Sequence, residues 1–153
     1  MTGVQTCALP IYVPCNGETA PPAAVQHAFD AIVKGITAGA EVLKPGVEGW
    51  QVDAAARSVI TAAGYSEYGH ALGHHVGRTA HDGAGLLGPR WERYGQTPFR
   101  KVEPGNVFTL EPSIEDAGGA GCIGIEEMVV VTESGCDWLS RPQTTLPFLR
   151  ASV

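Results

Sequence analysis

The sequence has no run of about 18 apolar residues, no basic stripe and no metal-type pairing of cysteines, and each absence excludes a class of function. Without a long apolar run, no membrane-spanning helix is predicted. The net charge is −6, and the 10 Lys and Arg residues are scattered along the 153 positions, so no surface could follow a phosphate backbone. We therefore expect a cytoplasmic protein that binds neither membranes nor nucleic acid.

Cysteine is scarce, and its spacing carries no motif. The four cysteines, Cys7, Cys15, Cys122 and Cys136, show neither CxxC nor zinc-finger spacing, and the sequence contains no secretory-type apolar segment. We expect free thiols in a reducing compartment. The hydrophobic content of 44% and charged content of 17% are typical of one globular domain of this length.

The amino-terminal segment has neither helical nor strand periodicity. Residues 2–11, TGVQTCALPI, read like the translation of a sequencing-library adapter. We expect residues 1–11 to be foreign to the protein, the natural sequence to begin near Tyr12, and residues 12–153 to form the domain. No aspartate precedes Asp30.

Hydrophobic periodicity predicts two helices followed by strands. Apolar residues spaced by three and four mark the first helix at Val25, Phe29, Ile32, Val33 and Ile36, and the second at Val52, Ala56, Val59, Ile60 and Ala63. Short apolar runs predict strands from Val107 to Glu111 and from Ile123 to Thr132. Residues 82–104, rich in glycine and proline, are predicted to form a binding-site loop. The fold class is therefore α+β.

Four of the five histidines lie within twelve residues, in the segment GHALGHHVGRTAHD, at His70, His74, His75 and His81. Imidazole is the commonest metal ligand and also titrates near neutral pH, so such a cluster indicates a site. A single histidine is more often structural. Acidic partners on the predicted strands favour the functional interpretation.

Two predicted strands carry acids within apolar sequence. Glu111 lies in VFTLEP, and Glu126 and Glu127 lie in GIEEMVVV. A buried carboxylate must be protonated or paired with a cation, so a shared metal would explain the pattern, whereas a strand-edge carboxylate would face water. Alternation places Glu126 and Glu127 on opposite faces. Residue type alone leaves open which of the two faces the site.

Taken together, GHALGHHVGRTAHD, VEPGNVFTLEP, GIEEMVVVTESG and WLS resemble the C-terminal half of the pita-bread metallopeptidases, which comprise Xaa-Pro aminopeptidases, prolidases and methionine aminopeptidases. The resemblance covers Tyr12 to Leu139. It implies an incomplete pita-bread fold, in which two helices pack on a curved, mainly antiparallel sheet. It also implies a peptide substrate, and it leaves a homodimer open because dimers are common in the resembled branch.

The family's metal histidine lies in a Gly-His-x-x-Gly element, seven residues before a second histidine. His74 follows Gly73 and lies seven residues before His81, so it matches that spacing. The residue seven positions after His70 is Gly77, which has no side chain to contribute. The resemblance therefore implies that His74 is a metal ligand and that His81 is catalytic. His70 matches a pocket histidine of the proline-specific branch and is also taken as catalytic.

The resemblance implies that Glu111 is both a metal ligand and the catalytic proton acceptor. It implies that Glu126 is the ligand that bridges two metals, with Glu127 as a solvated neighbour. Two features depart from the family pattern. Gly124 stands where many members have arginine, and His75 replaces a small residue.

In the family, two divalent ions (manganese, cobalt, zinc or iron) lower the pKa of a shared water, and the resulting hydroxide attacks the scissile carbonyl. Two aspartate ligands should come from a hairpin before YVPCNGE, and the sequence has none there, so we expect the chain alone to be inactive. Three alternatives remain: a metal-free creatinase-like hydrolase, a non-catalytic binding module on the same fold, and a structural domain. Arg90, Trp91 and Arg93 are candidates for shaping the pocket around one end of the peptide.

Overall fold

A computed structural model describes residues 9–15, 17–119 and 121–149. Cys7 and most of the adapter-like segment lie outside this range. Cys15, Cys122 and Cys136 are free thiols, as predicted. Within the described ranges, no helix is long and apolar enough to cross a membrane.

Both predicted helices are confirmed. Helix α1 spans Ala23–Val42 and helix α2 spans Gly49–Ala62. The predicted apolar stripes face each other in the core, where Phe29 and Ile32 of α1 and Ile60 of α2 are fully buried. Gly35 permits this close packing, because a Cβ there would lie 3.1 Å from the Ile60 side chain. The two helices thus form one layer.

Among the described residues, seven short strands form the second layer. They are β1 (Gly73–His74), β2 (Leu86–Leu87), β3 (Val107–Leu110), β4 (Ser113–Ile114), β5 (Ile123–Gly124), β6 (Glu127–Val131) and β7 (Cys136–Trp138). They pair as β1-β2, β3-β6-β7 and β4-β5, and every pair is antiparallel. The α+β class is confirmed.

The first predicted strand, Val107 to Glu111, ends one residue early, and the second, Ile123 to Thr132, is interrupted. The first ends at Leu110 and resumes at Ser113, and the second is broken at residues 125–126. Pro112 explains the first break, because proline has no N–H to donate to the ladder. The predicted loop at 82–104 also contains structure, namely β2 and two 3₁₀ helices at Glu92–Tyr94 and Thr97–Phe99.

Candidate active site

The two candidate carboxylates lie opposite each other in one interrupted hairpin. Leu110 pairs with Glu127 on one side of the break, and Ser113 pairs with Gly124 on the other. The same register carried across the break places Glu111 opposite Glu126. Like charges directly opposite each other on neighbouring strands destabilise a sheet, so this position favours a bound cation.

The electrostatics of Glu111 reflect this environment. Burial, together with the negative charge of Glu126, raises the pKa of Glu111 from 4.5 to about 7, and His81 opposes the shift. The side chain is 22% exposed, so it is half-enclosed rather than sealed from solvent. A carboxylate held in this way gains from any cation that enters.

A close approach of two chain segments brings the histidine strand to this hairpin. A Cβ on Gly73 would lie 1.8 Å from the carbonyl oxygen of Thr109, so only glycine fits there. The backbone N–H of His74 donates to Thr109 Oγ1 at 3.0 Å, and the N–H of Glu111 donates to Leu72 O at 2.7 Å. The glycine of the Gly-His element thus allows His74 to lie beside Glu111.

The orientation of His74 suits metal binding. Its Nδ1 lies 2.9 Å from the carbonyl oxygen of His75, which can only accept, so Nδ1 carries the proton and Nε2 keeps a lone pair. Nε2 lies 3.6 Å from Glu111 Oε1. Two ligands at about 2.1 Å from one ion are separated by roughly 3 Å, so this pair fits after a small movement. Metal-ligating histidines commonly donate their other N–H to a carbonyl.

The full ligand set is not gathered by these residues alone. In the ranges the structure describes, no group of three His, Cys, Asp or Glu side chains is placed to hold a metal ion. His74 and Glu111 form the best-placed pair, and Glu126 lines the same cavity. The donor chemistry therefore fits part of a metal shell.

His70 reaches the same cavity from the segment before β1. Its Nδ1 lies 2.7 Å from the carbonyl oxygen of Ala71, so in the neutral ring Nε2 is the acceptor and receives the Ser113 hydroxyl at 2.8 Å. Donation from Nε2 to a substrate therefore requires the doubly protonated ring. Ser113 lies two residues after Glu111, and this spacing on one strand face could have identified it from the sequence.

His81 is exposed and its ring stacks on His74, with centroids 4.0 Å apart and planes inclined by 23°. It lies on the loop that follows β1. His75 points elsewhere: its ring stacks on Phe108 at 4.2 Å, and its Nδ1 accepts the Gly85 N–H at 3.1 Å. The structure thus brings three of the four clustered histidines to one site.

The site is an open cavity of about 430 Å³, a size suited to a small peptide. Every predicted site residue lines it, and sequence reasoning missed its neighbours Tyr94, Ser113 and Ile125. Tyr94 lies in the predicted binding loop. The complete predicted set is His70, His74, His81, Glu111 and Glu126.

Two expectations are corrected. Glu127 is not a solvated neighbour: it is 1% exposed, and its Oε1 accepts the Gln143 backbone N–H at 2.6 Å. It was misjudged because Glu127 shares the face of β6 with the buried Val129 and Val131, where the chain near Gln143 supplies its hydrogen-bond donor. Arg90 and Trp91 line a separate cleft beside helix α2, not the histidine cavity.

Comparison with known proteins agrees with this arrangement. The model of Metallopeptidase family M24 matches residues 7–133. An Xaa-Pro dipeptidase from Pyrococcus horikoshii is 31% identical over 119 residues, which cover 77% of this chain and 31% of that protein. The chain therefore spans about a third of the length of this relative.

Solved structures give the same result. An X-Pro aminopeptidase from Thermotoga maritima superimposes with a TM-score of 0.74 at 30% identity, covering 85% of this chain and 35% of the other. The dipeptidase PepE from Mycobacterium ulcerans gives 0.73 at 30% identity, with coverages of 84% and 33%. The fold is the pita-bread fold in part, and the chain belongs to Metallopeptidase family M24 as a portion of its catalytic domain.

Proposed function

We propose that this chain is part of a two-metal peptidase of the Xaa-Pro aminopeptidase or prolidase type, and that alone it is inactive. The observation that carries the proposal is the pairing of His74 Nε2 with Glu111 Oε1 at 3.6 Å, beside Glu126 in one cavity. An imidazole with a fixed tautomer and two opposed carboxylates are the donors that divalent transition ions accept.

The ligands come from three segments, namely β1 for His74 and the two sides of the interrupted hairpin for Glu111 and Glu126. His74, Glu111 and Glu126 would hold two ions together with two further carboxylates. When bound, the ions would supply a hydroxide at neutral pH by lowering the pKa of a water. Manganese, cobalt, zinc and iron all suit such a shell.

The remaining site residues act on the peptide. His81 is exposed at the cavity and would donate a hydrogen bond to the scissile carbonyl, which strengthens as charge develops on its oxygen. Losing one such donor costs a factor of about 100 to 1,000 in rate. Glu111 would accept and return protons. His70, held by Ala71 and Ser113, would donate to the substrate only in its doubly protonated form.

A preference for proline in the second position rests on His70 and on the printed names of the relatives, an Xaa-Pro dipeptidase and an X-Pro aminopeptidase. The cavity of about 430 Å³ accepts a short peptide. A dipeptide and a longer peptide would differ in how far they extend towards Tyr94, which lines the same cavity.

The decisive experiment compares the 153-residue chain with the full-length gene product that contains it. With added manganese, we expect no hydrolysis of Xaa-Pro dipeptides by the chain, and hydrolysis by the full-length protein. His74→Ala in the full-length protein should abolish activity. His27→Ala is the matched control, because His27 is exposed on helix α1 and bonds only to Tyr65 among the described side chains.

Other outcomes select the alternatives. Activity of the full-length protein that survives exhaustive chelation would indicate a metal-free hydrolase of the creatinase type. Absence of any hydrolysis, together with absence of two aspartates about a dozen residues apart in the preceding hairpin, would indicate a binding module. Hydrolysis by the 153-residue chain would contradict the proposed inactivity.

A further inference from the structure

The segment from Tyr68 to Leu72 carries His70 and leads into β1, yet it belongs to no helix or strand. Buried backbone groups outside regular structure need other hydrogen-bond partners. Here the partners are charged side chains. The segment therefore depends on residues distant in sequence for its conformation.

An ion pair on helix α2 supplies most of these partners. Arg57 Nη1 donates to Tyr68 O at 2.8 Å, and Nη2 donates to His70 O at 2.9 Å. Asp53, one turn earlier, accepts from Arg57 through both carboxylate oxygens at 2.8 Å. Asp53 Oδ1 also accepts the Leu72 N–H at 2.9 Å. The pair therefore binds the segment at alternate residues.

A second arginine binds the carbonyl that lies between the carbonyls of Tyr68 and His70. Arg93 Nη2 donates to Gly69 O. The Trp91 ring joins the two arginines, because the Arg57 and Arg93 guanidinium carbons lie 5.2 Å and 4.4 Å from its centroid. Three successive carbonyls of the segment thus accept hydrogen bonds from two guanidinium groups.

The burial of the Asp53–Arg57 ion pair indicates that the pair holds the backbone of the segment in position rather than adding stability. Asp53 is 1% exposed and Arg57 is 7% exposed. Removing two charges from water costs several kcal/mol per ion, and an apolar pair of the same volume is often equally stable. Apolar side chains would leave the backbone groups of the segment without partners.

We propose that Asp53, Arg57 and Arg93 are positioning residues, which hold the Tyr68–Leu72 segment so that the His70 ring faces the cavity. The same hydrogen bonds fix the backbone at Leu72, directly before β1, and hence the position of His74. The catalytic consequence rests on the proposed function, whereas the effect on the His70 ring does not.

The test uses the whole 153-residue chain labelled with ¹⁵N-histidine. Long-range ¹H–¹⁵N spectra of the neutral rings report which nitrogen of His70 carries the proton. The variants are Arg57→Lys, which keeps the charge but not the paired donors, and Arg93→Gln, which changes an exposed side chain. Ile32→Val is the control, since it removes a fully buried methylene from α1 and none of the hydrogen bonds that hold the segment.

We expect the parent chain and Ile32→Val to show His70 in the Nδ1–H form, even though the control lowers the melting temperature. In Arg57→Lys the ratio of Nδ1–H to Nε2–H should fall about tenfold, as the loss of one hydrogen bond of about 1.4 kcal/mol would produce. Arg93→Gln should give a smaller change in the same direction.

An unchanged His70 tautomer in folded Arg57→Lys would overturn the proposal. If Arg57→Lys does not fold, Arg93→Gln decides the question alone, and an unchanged ratio there would also overturn it. Full-length protein without peptidase activity would remove the proposed function but leave the tautomer result intact. In active full-length protein, Arg57→Lys should lower kcat more than it changes KM.

Discussion

Glu111 and Glu126 oppose each other across the break in a single antiparallel hairpin, in the register set by the Leu110–Glu127 and Ser113–Gly124 pairs. The burial of Glu111, together with the repulsion from Glu126, raises the pKa of Glu111 to about 7. Without a cation, the repulsion between the two carboxylates destabilises the fold. A bound cation would remove this repulsion. Several measurements follow from this relationship.

The first concerns the pH dependence of stability without metal. Because the folded-state pKa of Glu111 lies near 7 and its ordinary value is 4.5, the folded protein binds the extra proton between these values. Ionisation of Glu111 therefore destabilises the fold progressively from pH 4.5 to 7 and fully above 7. The loss is at most about 3.5 kcal/mol, from about 1.4 kcal/mol per pKa unit.

Glu111→Gln should remove this dependence. Urea unfolding in the presence of a chelator, at pH 4.5 and pH 8, should show the variant gaining stability relative to the parent at the higher pH. Glu103→Gln is the control, because Glu103 is exposed and does not line the histidine cavity. A parallel pH profile for Glu111→Gln and the parent would contradict the pKa assignment.

The effect of metal on stability should distinguish the role of His74 from that of His70. Saturating manganese or zinc should raise the unfolding free energy of the chain, by about 2.7 kcal/mol at a metal concentration of one hundred times Kd. His74→Ala should abolish the increase because it removes the lone pair that faces Glu111. His70→Ala should retain it, since the His70 Nε2 is engaged by Ser113. Equal losses in both variants would contradict the ligand assignment.

Substitution of Glu126, in the break, and of Glu127, the first residue of β6, should have different effects on the stability of the fold. Glu127→Ala removes the buried acceptor of the Gln143 N–H and should destabilise the fold by about 1 to 3 kcal/mol. Glu126→Ala should leave stability unchanged or increase it without metal, because it relieves repulsion of Glu111. Thermal unfolding of both variants in chelator measures the contrast, and a larger loss in Glu126→Ala would reverse the assignment of faces.

The sequence predicted the two helices well, because their core stripes follow the 3.6-residue period without interruption. It located the strand regions but not the break at residues 111–112 and 125–126, since proline and tertiary pairing act there together. Asp53 was expected only as a helical residue. Its spacing of three and seven residues before Ala56 and Ile60 is that of the core side of α2, but the Arg57 partner and the backbone groups it serves are set by tertiary structure.

The candidate site was predictable in its residues and not in its geometry. The resemblance implied His74 through its Gly-His element, and the approach of Thr109 to Gly73 explains why glycine precedes this histidine. The His70 ring is oriented by the carbonyl of Ala71, and the His74 ring by the carbonyl of His75. No residue pattern specifies these contacts. Alternation separated Glu126 from Glu127, but Glu127 was assigned to solvent although it shares the face of the buried Val129 and Val131.

The final prediction concerns the loop that carries His81. His75 holds this loop, because its ring packs against Gly83 and Gly85 and accepts the Gly85 N–H at 3.1 Å. Gly83 has φ of 97°, and a Cβ there would lie 2.6 Å from His75 Nδ1. Gly83→Ala should therefore destabilise the loop by more than about 1 kcal/mol, through both backbone strain and this contact.

Amide hydrogen exchange of residues 76–86 measures the effect directly, and faster exchange confined to this loop is expected. Gly95→Ala is the matched control, because Gly95 also has positive φ, at 53°, but has nothing within 4 Å of an added Cβ. His75→Ala should accelerate exchange at Gly85 in particular, since it removes the acceptor. Protection of the loop unchanged in both Gly83→Ala and His75→Ala would show that the ring does not position His81.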